Sequence, residues 1–575
     1  MIKFIIPLLL FSTVALAQKK APITVGGNIG AGYEGYGLSR NPTGWVGYTP
    51  RRPYNQFRFN LNPTIQFSKN FSLPLNFNFV TKPTNFAGPL AGLGSFGGQN
   101  FWQFITNPTN NFSINPKYKN SELLLGTQYI NYSNLSTGDV AVFGAGVDLR
   151  PGTYLLKFFT GLSQQPINYI APTLAPPNPG IPGAYRRNNW MLQLGKEQEG
   201  KYKVAFNFSK GYDHKLSLTS PLPTTIKPQE GFTVSFLNNI TFKKGWFLKS
   251  EVAQAFFTRN TNDANTLLVK SFEPFIKSKT STIRDFAGEL AFGKKLKTFE
   301  IGLSSKYLGP GFITPGYPFM QPDRLDYTLN TKFTAWHNKM NIIASAGQRI
   351  NNLSTSSKAA QFLGNLNWYT QFNDKVNLNI TYNNFGFTAP SGTAFNVKNV
   401  SNDIGINPTF TWSNTTMINL LSISYNYSKY DERDVLTGLT TTNQSHIGVV
   451  SYVPVFFNKK ITPDFSLMYF YNRIPPPTAV TTTLLTFNAG MGYPFPKSKG
   501  NLKAALQYTL ASNNIASGNN NIIASLNVEY KLMPKLLWRT FLSSNYVQYQ
   551  RSFTPSGANY LESQYRTGFN YSFSK

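Results

Sequence analysis

The chain of 575 residues contains no cysteine, which excludes disulfides, thiolate metal sites and thiol catalysis together. Charge is scarce as well: 14% of residues are charged, against about 25% in an ordinary soluble protein. Long apolar runs do not make up the difference, and the mean hydropathy is −0.25. The one apolar stretch, FIIPLLLFSTVALA at 4–17, falls short of the roughly 18–20 residues that a spanning helix needs. With Lys3 ahead of it and Ala15-Leu16-Ala17 as a cleavage box, residues 1–17 are expected to be a signal peptide. Gln18 follows where a lipid-anchored protein would have cysteine. Only three histidines occur, His214, His337 and His446, far apart and with no carboxylate at ligand spacing. No metal and no cofactor is expected.

What is present is aromatic (15%) and polar without charge, and it is arranged with period two. In NNNIIASLNVEYKLMPK, at 519–535, Ile522, Ala524, Leu526, Val528 and Tyr530 alternate with Ile523, Ser525, Asn527, Glu529 and Lys531. Strand side chains point to opposite faces in turn, so one face is apolar and the other mostly polar. About 25 such segments follow one another at the spacing of membrane barrels. The expected fold is all-β: a single transmembrane antiparallel β-barrel of about 24–26 strands over residues 18–575, its lumen partly filled by loops or an inserted segment.

Connection lengths give the orientation. Short turns, such as 243–245, 337–339, 373–375 and 531–535, alternate with long loops at 164–186, 260–281, 309–323 and 388–401. In outer-membrane barrels the short turns face the periplasm, so both termini are expected there, in the outer membrane of a Gram-negative bacterium. Lys243, Lys244, Lys294, Lys295, Lys339, Lys459, Lys460, Lys497, Lys499 and Lys535 gather at short connections and are read as a ring at the lipid headgroups. Solvated turn lysines that resist edge aggregation are the alternative. That placement explains a net charge of +30 without nucleic acid as a partner. Trp246, Trp336, Trp412 and Trp538 each lie within three residues of a short turn, where an aromatic girdle is expected.

Residues 81–120 break the rhythm. This insert either returns as one irregular strand, which gives 26, or threads the lumen. Phe101, Trp102, Phe104, Pro116, Lys117, Tyr118 and Lys119 are the candidate lumen plug. An irregular strand plus a turn is the competing reading of the same residues. A bore near 26 strands, wider than those that carry a plug at about 22, has to be occupied by something. Inward-folded loops, the insert or a separate protein are the options. The expected function is a gated or plugged channel or transporter component, with membrane lipids and other envelope proteins (plug, lipoprotein or secretion-machine subunits) as partners. A non-conducting scaffold subunit of a larger envelope machine for secretion, assembly or surface-protein handling is the alternative. An enzyme is not expected: Ser445 and His446 are strand neighbours and point to opposite faces.

Two stretches carry a family resemblance. INPKYK at 114–119 leads into Leu123-Leu124-Leu125-Gly126, then FGAGVDL at 143–149 and Arg150-Pro151-Gly152. Asp326-Tyr327-Thr328-Leu329 runs through to 339–348. With the Ala17-Gln18 junction and the Asn-, Tyr- and Phe-rich strands, this resembles a group of large outer-membrane barrels of the Bacteroidota, mostly of unassigned function. A more distant likeness is to the translocon barrel of type IX secretion, whose much greater length carries no role across. The last segment, 564–573, resembles the alternating aromatic assembly signal of outer-membrane barrels, except that Ser574 and Lys575 follow its final aromatic.

Overall fold

The structure is a computed structural model that describes residues 23–39, 55–81, 101–106, 111–138, 140–169, 171–174, 177–178, 183–218, 222–223, 225–267, 272–317, 320–355, 358–390, 396–433, 440–458, 460–476, 479–514, 519–549 and 560–574. The expected signal peptide lies outside these residues, as does Lys459 of the lysine ring.

Period-two segments become strands throughout. The first seven are β1 (Thr24–Ser39), β2 (Gln56–Ser68), β3 (Phe71–Val80), β4 (split into Asn111–Ile114 and Lys117–Tyr118), β5 (Ser121–Tyr129), β6 (Ala141–Leu149) and β7 (Tyr154–Gln164). Then come β8 (Arg186–Gln198), β9 (Tyr202–His214), β10 (Glu230–Thr241), β11 (Trp246–Thr258), β12 (Thr282–Lys295), β13 (Phe299–Leu308) and β14 (Arg324–Ala335). The next six are β15 (Met340–Asn351), β16 (Ala359–Gln371), β17 (Val376–Pro390), β18 (Asn396–Ser413), β19 (Met417–Arg433) and β20 (Thr440–Phe456). The last six are β21 (Thr462–Ile474), β22 (Val480–Pro494), β23 (Gly500–Asn513), β24 (Asn519–Met533), β25 (Leu536–Tyr549) and β26 (Tyr560–Ser574). The sheet holds 27 hydrogen-bonded segments, two of which are the halves of β4, so the strand count is 26. Every neighbour pair is antiparallel, and β1 pairs with β26 from Gly26↔Ser574 to Ser39↔Leu561, which closes the barrel. Since β1 also pairs with β2 from Thr24↔Gln66, the start of β1 and the end of β26 lie at the short-turn end.

β4, at the end of the insert, is paired on both sides. Its two halves bond to β3 through Leu75↔Ile114 and Phe71↔Tyr118, and to β5 through Ser113↔Gly126 and Lys117↔Glu122. Pro116 has no N–H for the ladder and splits the strand. The backbone stays paired across the break: Asn115 N donates to Pro74 O at 3.0 Å and Leu123 N to Pro116 O at 2.9 Å. Lys117 and Tyr118 are therefore part of the wall, not of a segment across the bore.

The two faces divide as the alternation requires. The outward row includes Phe206, Phe236, Val252 (61% exposed), Phe286 and Leu303 (60% exposed), while the inward row of the same strands includes Asn207, Ser235, Glu251 and Ala287, all buried. A soluble fold buries its apolar row; this wall buries the polar one, which is the sense a lipid surround demands. Outward Trp538 and Tyr546 bracket Leu542 on β25, eight positions apart. That is about 27 Å of strand, or roughly 20 Å of height at a tilt near 40°, close to the apolar band of a membrane barrel.

Gly126 in β5 sits at φ +89°, and a Cβ there would run into the carbonyl oxygen of Phe112 on β4. Gly126→Val is expected to cost about 1–3 kcal/mol or more. The check is the fraction that migrates as the compact, unheated form on a detergent gel. Wild-type folding would contradict this close pass.

Candidate functional site in the lumen

Two loops turn into the barrel and dock on each other. Residues 130–138 follow β5 on the way to β6, and residues 309–317 follow β13 on the way to β14. Thr137 and Gly316 form a parallel bridge. Thr314 Oγ1 donates to Ser136 O at 3.0 Å and the Tyr317 hydroxyl to Ser133 O at 2.9 Å. A Cβ on Gly316 would meet the Ser136 carbonyl oxygen, so only glycine permits this approach. Leu135 and Phe312, both wholly buried, pack with Leu308 of β13 on Ala253 and Ala255 of β11 and Ala287 of β12. Small side chains on the wall make the recess that these two fill. Beside them Ile130 and Tyr132 pack on Val142 of β6, Phe159 of β7 and Met191 of β8.

Polar anchors hold the loops to the inward row. Gln193 Nε2 donates to Tyr132 O at 2.9 Å, Asn134 Nδ2 to Glu289 Oε1 at 2.6 Å, and Gly311 N to Asp285 Oδ2 at 2.6 Å. Beneath the loops runs a polar band, with Gln193 Nε2 to Asn207 Oδ1 at 2.6 Å and Asn207 Nδ2 to Ser235 Oγ at 3.0 Å. Other buried atoms there have no hydrogen-bond partner: Asn189 Nδ2, Gln193 Oε1, Ser209 Oγ and Thr233 Oγ1. The Tyr132 hydroxyl is in the same condition, and burial first, then the Asp148 charge, pushes that phenol up. Each unpaired buried polar group costs about 1–3 kcal/mol. A loop that never left would favour an apolar wall under it. This interface is apolar at two places, around Leu135 and Phe312 and around Ile130 and Tyr132, and polar between β8 and β11.

Ion pairs bridge neighbouring strands on the inward face. Glu34 accepts from Arg58 at 2.8 Å and from Arg566 at 2.8 Å across the closing seam. Arg349 pairs with Asp326 at 2.7 Å, and Arg150 and Lys157 both reach Asp148 at 3.0 Å. On the outside, residues 272–276 of the β11–β12 loop lie over the upper wall. Ile276 and Phe272 pack on Phe232 and Phe256, and Lys210 Nζ donates to Phe275 O at 2.6 Å.

The residues singled out from sequence fall as follows. Phe101–Ile105 is one short helical turn, α1, at the long-loop rim: the Phe104 ring is 6.4 Å from Phe112 of β4, and Gln165 donates to Thr106 at 2.8 Å. Trp102 is 69% exposed. Lys119 turns at φ +53° at the opposite end of β4. Trp246 stacks on Phe292 at 5.2 Å and Lys294 Nζ lies over the Trp246 ring at 5.3 Å, Trp412 stacks on Tyr452 at 6.4 Å, and Trp538 Nε1 donates to Thr567 at 3.0 Å. These three and Trp336 stand at the short-turn end. Lys243, Lys244, Lys294, Lys295, Lys339, Lys460, Lys497, Lys499 and Lys535 stand at that end too. His446 lies on the outward face among Tyr425, Tyr427 and Tyr471, with Tyr425 OH 2.8 Å from its Nδ1, while Ser445 belongs to the inward row.

Sequence reading did not find the two docked loops. The signal was Phe312, Ile313, Tyr317 and Met320, an apolar content unusual for a loop facing water. Residues 130–138 carried only Leu135 as a sign.

No family model matches the chain, and no curated protein does. The Bacteroidota likeness thus stays with the residues that suggested it. Among solved structures, the translocation pore of the P pilus usher PapC is 11% identical with a TM-score of 0.39, over 96% of this chain and 100% of that one. The ferric enterobactin receptor PfeA of Pseudomonas aeruginosa is 9% identical with a TM-score of 0.40, over 97% of this chain and 81% of that one. OpdK of Pseudomonas aeruginosa, solved with vanillate, is 10% identical with a TM-score of 0.31, over 61% of this chain and 93% of that one. Likeness at this level carries no functional argument.

Phe312→Ala should remove about 3–5 kcal/mol from loop docking. Amide exchange at Tyr132 and Gly138 is then expected to quicken about a hundredfold or more, with strand amides unchanged. Equal exchange would show that Phe312 does not hold the loops.

Proposed function

We propose that the protein is a channel or transporter component of a Gram-negative outer membrane, narrowed by loops 130–138 and 309–317, which dock and undock. In this reading the short turns and both ends of the barrel face the periplasm. The tryptophans and lysines at that end lie in the lipid interface, and membrane lipids are the standing partners. The observation that carries the reading is the polar band under the docked loops, with buried groups left unpaired. Such a surface is suited to water when the loops leave, and it makes the docked state cheap to open.

The bore gives the loops something to control. Twenty-six strands about 4.8 Å apart, tilted about 40°, enclose a ring about 50 Å across between backbones. The two buried apolar clusters that include residues of these loops both lie against the inward row of β6–β13. The loops therefore narrow the lumen from one side, and α1 at the rim is proposed as further cover.

Single-channel recording in planar bilayers tests this. Replacing residues 133–137 by a Gly-Ser linker is expected to raise conductance several-fold over wild type and to abolish its closures. Unchanged conductance in a variant that folds would defeat the gating reading.

A further inference from the structure

The outward face carries cations on two sides of the barrel at one height, and they are treated differently. Trp246 and Phe256 are both outward on β11, ten positions apart. That is about 33 Å of strand and about 25 Å of height at a tilt near 40°, the full apolar band. Register carries the row of Phe256 sideways through Lys210, Phe232 and Arg284. Both cations of that row are engaged within the protein. Lys210 pairs with Glu230 at 2.8 Å and donates to Phe275 O, and Arg284 lies over the Phe256 ring at 5.9 Å. Phe272 and Ile276 cover the same stretch of wall.

The same height on β18–β21 is open. Trp412 and Asn402 are outward on β18, again ten positions apart. Register carries the row of Asn402 through Lys429 of β19 and Gln444 of β20 to Arg473 of β21. One step below, Tyr427, His446 and Tyr471 form an aromatic row, with the His446 ring 5.0 Å from Tyr427 and 5.9 Å from Tyr471. Rings with an apolar body and a polar tip sit where hydrocarbon gives way to water, so the row above them meets headgroups. Arg473 is exposed, and no ion pair to it occurs among the described residues. Lys429 is 3.9 Å from Asp431, which also accepts from Thr442 at 2.8 Å.

Lys429 and Arg473 are two strand spacings apart, about 10 Å at the backbone, with the Gln444 amide between them. Both side chains are long enough to meet over that amide. Two cations and an amide donor call for an anion with several oxygens, which a guanidinium engages through paired N–H groups and an ammonium as a point charge. At this depth the anion at hand is the phosphate of a lipid headgroup. The aromatic row beneath offers a lipid chain contacts that free phosphate would not use.

We propose that Lys429, Gln444 and Arg473 hold the phosphate of a lipid headgroup, with Tyr427, His446 and Tyr471 against the adjoining ends of its chains. The site lies in the leaflet on the long-loop side, opposite the lysines of the short turns, and it does not depend on gating.

The absence of cysteine from the chain allows a fluorophore at one chosen position. Thr483→Cys on β22 places it opposite Tyr471, beside the site. Tyr546→Cys on β25, flanked by Ile522 and Leu561, is a reference on the same face with no cation next to it in its row. In phosphatidylcholine nanodiscs, dibrominated phosphatidic acid is compared as quencher with dibrominated phosphatidylcholine at the same mole fraction. At Thr483→Cys the phosphatidic acid is expected to quench about fivefold more strongly, and at Tyr546→Cys the two lipids equally. Lys429→Gln together with Arg473→Gln should remove the difference and leave quenching by phosphatidylcholine as it was. Arg473→Gln alone should shrink it, and serves if the paired variant does not fold. Equal quenching by the two lipids at Thr483→Cys overturns the proposal, as does a difference that these substitutions leave intact. Loss of the difference in millimolar inorganic phosphate overturns the lipid as occupant and gives the row to free phosphate. Quenching by neither lipid at either position overturns the site together with the lipid-facing row it stands on.

Discussion

The structure depends on a single constraint: backbone N–H and C=O groups in hydrocarbon need partners, and a sheet supplies them all only if it has no edge. The pairing of β1 with β26 meets that constraint over fourteen register positions, from Gly26↔Ser574 to Ser39↔Leu561. Closure then fixes the rest. Each strand has a row for lipid and a row for the lumen, and a one-residue slip would exchange them. This is why the chain is poor in charge yet not hydrophobic overall. Half of each strand is chosen for each solvent.

The docked loops add a second environment to the inward row. On β5–β13 that row is covered by residues 130–138 and 309–317; no buried apolar cluster of the described residues lies on β16–β26. The covered wall is apolar at Val142, Phe159 and Met191 but is not a continuous hydrophobic core. It kept Asn189, Gln193, Asn207, Ser209, Thr233 and Glu251, with small residues, Ala253, Ala255 and Ala287, only where Leu135 and Phe312 land. Apolar contact gives the loops a position, and the polar remainder limits how firmly they hold it. The balance between these terms makes the interface suitable for a two-state element.

Much of the wall was legible in the sequence because period two is a local signal. The alternation in 519–535 and 564–573 reappears residue for residue as outward and inward rows of β24 and β26. The count of 26 was reachable because short and long connections alternate, and because 81–120 had to bring the chain back across the wall. Lys117 and Tyr118 were ambiguous: Pro116 breaks the alternation exactly where a strand and a crossing segment would look alike, and only pairing with β3 and β5 separates them. The docked loops were hidden for a different reason. Their partners are 178 and 184 positions away in the chain, as in Thr314 to Ser136 and Tyr317 to Ser133, and no local pattern reports a contact of that range.

The central claim is that one wall has two kinds of inward face, open on β24 and covered on β11. Cysteine scanning of residues 521–529 and 249–257 against a water-soluble thiol reagent, with brominated lipid as the probe of the outward row, addresses it directly. On β24 the inward positions 521, 523, 525 and 527 should react from water, while the alternate positions are quenched by lipid. On β11 positions 251, 253 and 255 should be protected from both. Water reactivity on β11 equal to that on β24, or no alternation on either strand, would contradict the account.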